Sequence, residues 1–319
     1  MDTEHFTVTN GDIELHVAAR GQGPVVLCVH GWPELWYSWR HQIDALSEAG
    51  FRVAALDVRG YGDSSKPHPV AAYSMRELAG DVAAVAGALS DDPVTLVGHD
   101  WGAPIVWNTA LLHEDVIGAV AGLSVPYMPT TGGPASGLRD IYKGRFFYQN
   151  YFQAEGVAEA EIEADIRLAL RKIYFALSGE AELDTWLAEK PADANLLDSL
   201  IDPDPFPAWL TEADLDVYVR AFTGSGFRGP LNRYRAGEID REETGDELTG
   251  RTITQPACFI AGARDAVRHF IPGSDLYAQP GAACEDLRGS TIIDGAGHWV
   301  QQEAPEATND ALLAFLKTL

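Results

Sequence analysis

Val94-Thr95-Leu96-Val97-Gly98-His99-Asp100-Trp101-Gly102-Ala103 is the stretch that decides the fold. An apolar, largely β-branched run stops at Gly98, and helix-like residues begin just past Gly102. Gly-x-Asp-x-Gly at such a boundary has the form of a nucleophile elbow. A sharp strand-to-helix turn lifts the central side chain above the end of a sheet. Serine is the usual occupant. Here the position holds a carboxylate, Asp100.

On either side of the elbow the chain keeps an α/β rhythm. Residues 5–9 and 13–19 flank Asn10-Gly11, a hairpin signal. Residues 25–29 form a short apolar run entering His30-Gly31-Trp32-Pro33, residues 36–49 have helical spacing, and residues 53–56 are again strand-like. An amphipathic helix over 77–89 precedes the 94–97 strand. A helix over 103–112 and a strand over 117–125 follow it. The alternation then stops. Residues 157–177 read as one helix, and Thr211-Glu212-Ala213-Asp214 as a capping box opening another through 222. Strands return at 257–261 and 291–293, and a helix over 304–316 closes the chain. This order predicts an α/β-hydrolase fold: a mostly parallel central sheet flanked by helices, with an inserted helical cap. Residues 1–127 and 250–319 would form the two parts of the core and 128–249 the cap.

Composition narrows the partners. The chain has 319 residues, 46% of them hydrophobic, and a formal net charge of −24. That charge argues against nucleic acid and anionic membranes as partners. No apolar run approaches the ~18 residues of a membrane span. The first residues, Met1-Asp2-Thr3-Glu4-His5-Phe6, lack the basic and apolar regions of a signal peptide. Three cysteines cannot build a disulfide framework, and Cys28 and Cys258 lie in strand-like runs, so a cytoplasmic setting is expected. The excess of arginine over lysine suggests a bacterial host. No cofactor or metal is expected, and a monomer or a homodimer is.

A nucleophile requires a base, and the base an orienting acid. In this fold they follow in the order nucleophile, acid, histidine. Asp265 lies past a strand end in Gly262-Ala263-Arg264-Asp265, and His298 past the last strand in Gly297-His298-Trp299. Asp275 and Asp294 are fallback acids. The oxyanion hole would come from the backbone N–H groups of Trp32 and Trp101. Trp101, Tyr151 and Pro33 are candidate substrate contacts, and the Trp32-Pro33 bond is a candidate cis peptide.

The carboxylate restricts the chemistry. Serine attacking an sp³ carbon would leave an ether that activated water cannot cleave. Aspartate, an anion at neutral pH, would leave an ester of its own carboxyl. His298 could then direct water at that carbonyl. Haloalkanes and epoxides both fit this logic. A departing halide needs N–H donors, whereas an epoxide oxygen needs an acid. Tyr148 and Tyr234 offer phenols, protonated at neutral pH with a pKa of ~10, although spacing alone favours a packed aromatic at either position.

The chain resembles the soluble epoxide hydrolase family of the α/β-hydrolase superfamily. The matching segments are His30-Gly31-Trp32-Pro33, Arg59-Gly60-Tyr61-Gly62-Asp63-Ser64, Gly98-His99-Asp100-Trp101-Gly102, Tyr148-Gln149-x-Tyr151-Phe152-Gln153, Gly226-Phe227-Arg228-Gly229-Pro230-Leu231-Asn232-x-Tyr234-Arg235 and Gly297-His298-Trp299. The resemblance implies Asp100 as nucleophile, Asp265 and His298 as the relay, and Tyr148 and Tyr234 as acids polarising the epoxide oxygen. It favours Tyr148 over Tyr151. Arg233 departs from the aromatic that relatives often carry beside the second tyrosine. The chain is too short for the phosphatase-like domain of some animal relatives. The implied reaction converts a small-molecule epoxide and water into a vicinal diol. Two alternatives stand beside it: a haloalkane or haloacid dehalogenase, and a ligand-binding protein without catalysis. Phe147, Phe152, Phe206 and Trp209 are candidate determinants of substrate choice.

Overall fold

The computed structural model describes residues 2–131, 133, 137–182 and 185–319. Eight strands make one sheet: β1 (Glu4–Asn10), β2 (Ile13–Arg20), β3 (Val25–Val29), β4 (Arg52–Leu56), β5 (Val94–His99), β6 (Ile117–Leu123), β7 (Ile253–Gly262) and β8 (Cys284–Ile293). Their spatial order is β1-β2-β4-β3-β5-β6-β7-β8. The β1–β2 hairpin turns at Gly11 and pairs antiparallel with β4. From β4 to β8 the strands are parallel. The fold is the α/β-hydrolase fold.

Both faces of the sheet are covered, so β3 is buried at every residue. Side chains alternate between two cores. Val25, Leu27, Val29 and Leu96 pack with the helices Met75–Leu89 and Gly102–Leu112 on one face. Val26, Cys28 and Val97 meet Ile43, Leu46, Leu312 and Phe315 on the other. Each fully buried aliphatic side chain contributes about 1.5–3 kcal/mol of transfer free energy.

Element boundaries differ from the expectation where side chains cap the chain. The helix expected from 77 starts at Met75, because the Ser74 hydroxyl accepts the Glu77 N–H. The continuous helix expected over 157–177 is two, Val157–Ala164 and Ile166–Leu177. Asp165 between them is extended (φ −151°, ψ 90°), and its carboxylate accepts the Leu168 N–H. A competing local hydrogen bond thus breaks an otherwise helical pattern. Thr211 does form a capping box with Asp214, and that helix runs Glu212–Ser225.

Between β6 and β7 the described residues form helices and connections, with one isolated bridge pairing Thr130 and Thr249. Glycine seats this insert on the core. Gly60 (φ +95°) and Gly229 pack backbone to backbone, and a Cβ on Gly229 would lie 2.7 Å from the Gly60 Cα. That contact fixes the helix Arg228–Arg235, which carries Tyr234. Among the described residues no helix is long and apolar enough to cross a membrane.

Candidate active site

Asp100 sits where β5 ends and the helix Gly102–Leu112 begins. Its φ is +50°, the left-handed region that costs a side-chain-bearing residue energy and that aspartate tolerates better than most. The turn presents the carboxylate to three neighbours. Asp100 Oδ1 accepts the Trp32 backbone N–H at 2.7 Å. Asp100 Oδ2 lies 3.4 Å from His298 Nε2. A Cβ on Gly31 would fall 2.4 Å from Oδ1 and 2.6 Å from the Trp101 nitrogen. Only glycine lets the loop after β3 come this close. The Trp32-Pro33 bond is cis.

His298 is held from its other side. Its Nδ1 lies 3.1 Å from both oxygens of Asp265. Asp265 also accepts the Val267 N–H, and the Tyr277 hydroxyl lies 2.8 Å from its Oδ2. Burial alone would raise the Asp265 pKa, but His298 and these donors outweigh it and hold the carboxyl below its ordinary value. Burial alone would lower the pKa of His298, but Asp265 and Asp100 hold it well above 6.5. The fallback acids lie elsewhere: Asp275 pairs with Arg268 at the surface, and the imidazole of His298 pairs with Asp265 and Asp100, not Asp294.

Tyr148 and Tyr234 pack edge to face, ring centroids 5.8 Å apart, and both line a recess with Asp100 and His298. Burial pushes both phenols above their ordinary pKa, and the Asp100 carboxylate adds to it. They stay protonated over any physiological range. Tyr151 is directed away: its hydroxyl donates to Glu161 at 2.8 Å, and it lines neither cavity beside Asp100. Pro33 also lines neither cavity beside Asp100. It is buried, and its carbonyl accepts the Tyr174 hydroxyl at 2.7 Å. Trp101 does line the larger cavity. Arg233, the departure noted above, lies under Trp101 with its guanidinium 4.9 Å from the ring centre and pairs with Asp240. It supports Trp101 from behind.

Sequence reasoning missed a buried ladder beneath the site. His99 Nδ1 lies 2.6 Å from Glu34 Oε2, and His99 Nε2 donates to the His298 carbonyl at 2.7 Å. Both residues are wholly buried. Burial would raise the Glu34 pKa, but His99 overrides it and pulls it down to about 2. Glu34 Oε1 also accepts the amides of Gln301 and Gln302. Glu303 is a second such anchor, accepting the N–H groups of Gly179, Gly297 and Trp299. The only sequence signal was adjacency: Glu34 follows the His30-Gly31-Trp32-Pro33 motif and His99 precedes the nucleophile.

A family model described as the alpha/beta hydrolase fold matches residues 24–305. Epoxide hydrolase A of Mycobacterium tuberculosis is 41% identical over 99% of this chain and 98% of its own length. A solved epoxide hydrolase from an endophytic Streptomyces is 45% identical and superposes with a TM-score of 0.93, covering 99% of this chain and 95% of that one. The chain belongs to the epoxide hydrolases. A further epoxide hydrolase structure, Epoxide Hydrolase A from Mycobacterium thermoresistibile, matches at 39% identity and a TM-score of 0.91 over 99% of this chain and 98% of that one. The epoxide hydrolase likeness thus runs through core and helical insert alike. Among the described residues no cluster of His, Cys, Asp or Glu is arranged to hold a metal ion.

Proposed function

We propose that this chain opens an epoxide to a vicinal diol through an ester formed on Asp100. The observation that carries the reading is the Asp100 carboxylate, with one oxygen on the Trp32 N–H, the other facing His298, and two tyrosines lining the same recess. Oδ2 attacks a ring carbon as the carbon–oxygen bond of the ring breaks. Tyr148 and Tyr234 hydrogen-bond that oxygen, and one of them gives it a proton. The ester carbonyl is then Oδ1, already at the Trp32 N–H, with Trp101 N–H as the second donor of an oxyanion hole.

Esterification also changes His298. It removes the Asp100 charge, one of the two that raise the imidazole's pKa. The base that must take a proton from water is freed of part of that hold when the ester exists. Water adds to the Asp100 carbonyl carbon, its proton passes to His298, and the tetrahedral centre expels the diol oxygen, which takes that proton. The regenerated carboxyl loses its own proton, restoring the tyrosine. Asp265 orients the imidazole throughout, and the helical insert of 128–249 acts as the cap that carries both phenols. The reaction uses no cofactor. Three unpaired cysteines agree with a bacterial cytoplasm as its setting.

The test is one turnover in ¹⁸O-water with enzyme in excess. The diol should carry the unlabelled carboxylate oxygen and the Asp100 peptide should gain label. Label in the diol after that single turnover, with none in Asp100, would mean direct attack by water. Asp100→Ala should form no diol.

A further inference from the structure

Two unequal spaces meet at Asp100. The larger is a chamber of about 250 Å³, walled by Val125, Met128, Leu138, Phe270, Ile271 and Leu276. Asp100 is the only charged residue lining it among the described residues. At Met128, Leu138 and Gln149 the chamber adjoins a polar vestibule of about 490 Å³. The smaller space is a recess of about 10 Å³, closed by Trp32, Leu177, Trp186, Tyr234 and His298. That is room for about one water. A water there has polar neighbours in His298, the two phenols and Trp32, whose indole N–H meets no acceptor among the described residues.

The oxygens of Asp100 are not equivalent in this frame. Oδ1 is held by the Trp32 N–H. Oδ2, the one free to attack, faces His298 and therefore the recess. We propose that the enzyme takes epoxides whose apolar substituents all sit on one ring carbon, and that Asp100 attacks the other, unsubstituted carbon. The substituted carbon faces the chamber and the CH₂ carbon faces the recess. The Oδ2–CH₂ bond forms as the CH₂–oxygen bond breaks, and the ring oxygen stays on the substituted carbon, protonated by tyrosine. A substituent on the second carbon would have to occupy the space of the hydrolytic water. The apolar chamber selects alkyl or aryl groups and disfavours charged ones, which would lose hydration without a partner. This inference rests on the epoxide-opening reading above.

The experiment compares kcat/KM of the wild-type enzyme for 1,2-epoxyoctane and trans-2,3-epoxyoctane, and locates ¹⁸O in the terminal diol after many turnovers in ¹⁸O-water. We expect the terminal epoxide to be favoured by about 100-fold or more, with label on the CH₂ carbon. Equal turnover of the two, or label on the substituted carbon, would overturn the proposal. Trp186→Ala and Leu177→Ala enlarge the recess and should each narrow the preference by about tenfold. A preference unchanged in both folded variants would show that the recess does not set it. A wild type that opens neither these nor other epoxides would remove the reaction itself. That failure differs from opening both equally.

Discussion

Asp100 is the residue on which the proposed chemistry turns, and its position in an elbow is legible in ten letters of sequence. What the letters do not separate is Tyr148 from Tyr151, three positions apart on the short helix Tyr148–Tyr151. The fold separates them through a third residue, since Glu161 accepts the Tyr151 hydroxyl and also the Leu196 and Leu197 N–H groups. Pro33 is a similar case: its motif position points to the substrate, but the tight turn buries it and leaves Trp32 at the wall. If Tyr148 and Tyr234 share the departing oxygen, Tyr148→Phe and Tyr234→Phe should each slow ester formation about tenfold. The double change should slow it about 10³-fold or more, within the usual span of general acid catalysis. Rapid-quench measurement of the alkylation step checks this. Rates equal to wild type would remove both phenols from the reaction.

At the scale of elements, the strand and helix alternation was readable because periods of two and 3.6 residues differ plainly on apolar faces. The edges were less so. β8 is ten residues long, but its burial pattern is mixed, so only 291–293 stand out in sequence. The helix Arg228–Arg235 contains Gly229, Pro230 and Asn232, poor helix formers that Gly60 and the neighbouring backbone hold in place. The Glu34–His99–His298 ladder joins the loop after β3, the end of β5 and the loop after β8. No periodicity encodes such a contact, because its members are 65 and 199 positions apart. Glu34→Gln leaves His99 without its carboxylate, and breaking a buried pair of this kind costs about 3–5 kcal/mol. Thermal unfolding at neutral pH should report it as a large fall in Tm. The pH slope should also change. Glu34 has a folded pKa of about 2 against an ordinary 4.5, so its contribution is complete above pH 4.5 and fades as pH falls towards 2. Wild type should lose stability through that window, and the variant should lack this component of the slope. A variant with the wild-type slope would mean that Glu34 is not the group responsible.

Over the whole molecule, the sheet and the helical insert divide the work. The sheet presents Asp100, Asp265 and His298 on the loops beyond the carboxyl ends of β5, β7 and β8. The insert supplies two phenols and much of the wall. Glu303 ties the two together, binding Gly179 at the end of the helix Ile166–Leu177 and Gly297 beside His298. The division into core and insert is visible in sequence as the place where alternation stops. The size of each cavity is not, since it depends on packing between distant segments. Covalent attachment of the substrate to Asp100 is exposed by blocking the step that releases it. His298→Gln, incubated with a terminal epoxide, should gain the mass of one epoxide, and peptide mapping should place that mass on Asp100. A variant that forms diol without any such adduct, or carries it on another residue, would rule out an ester on Asp100.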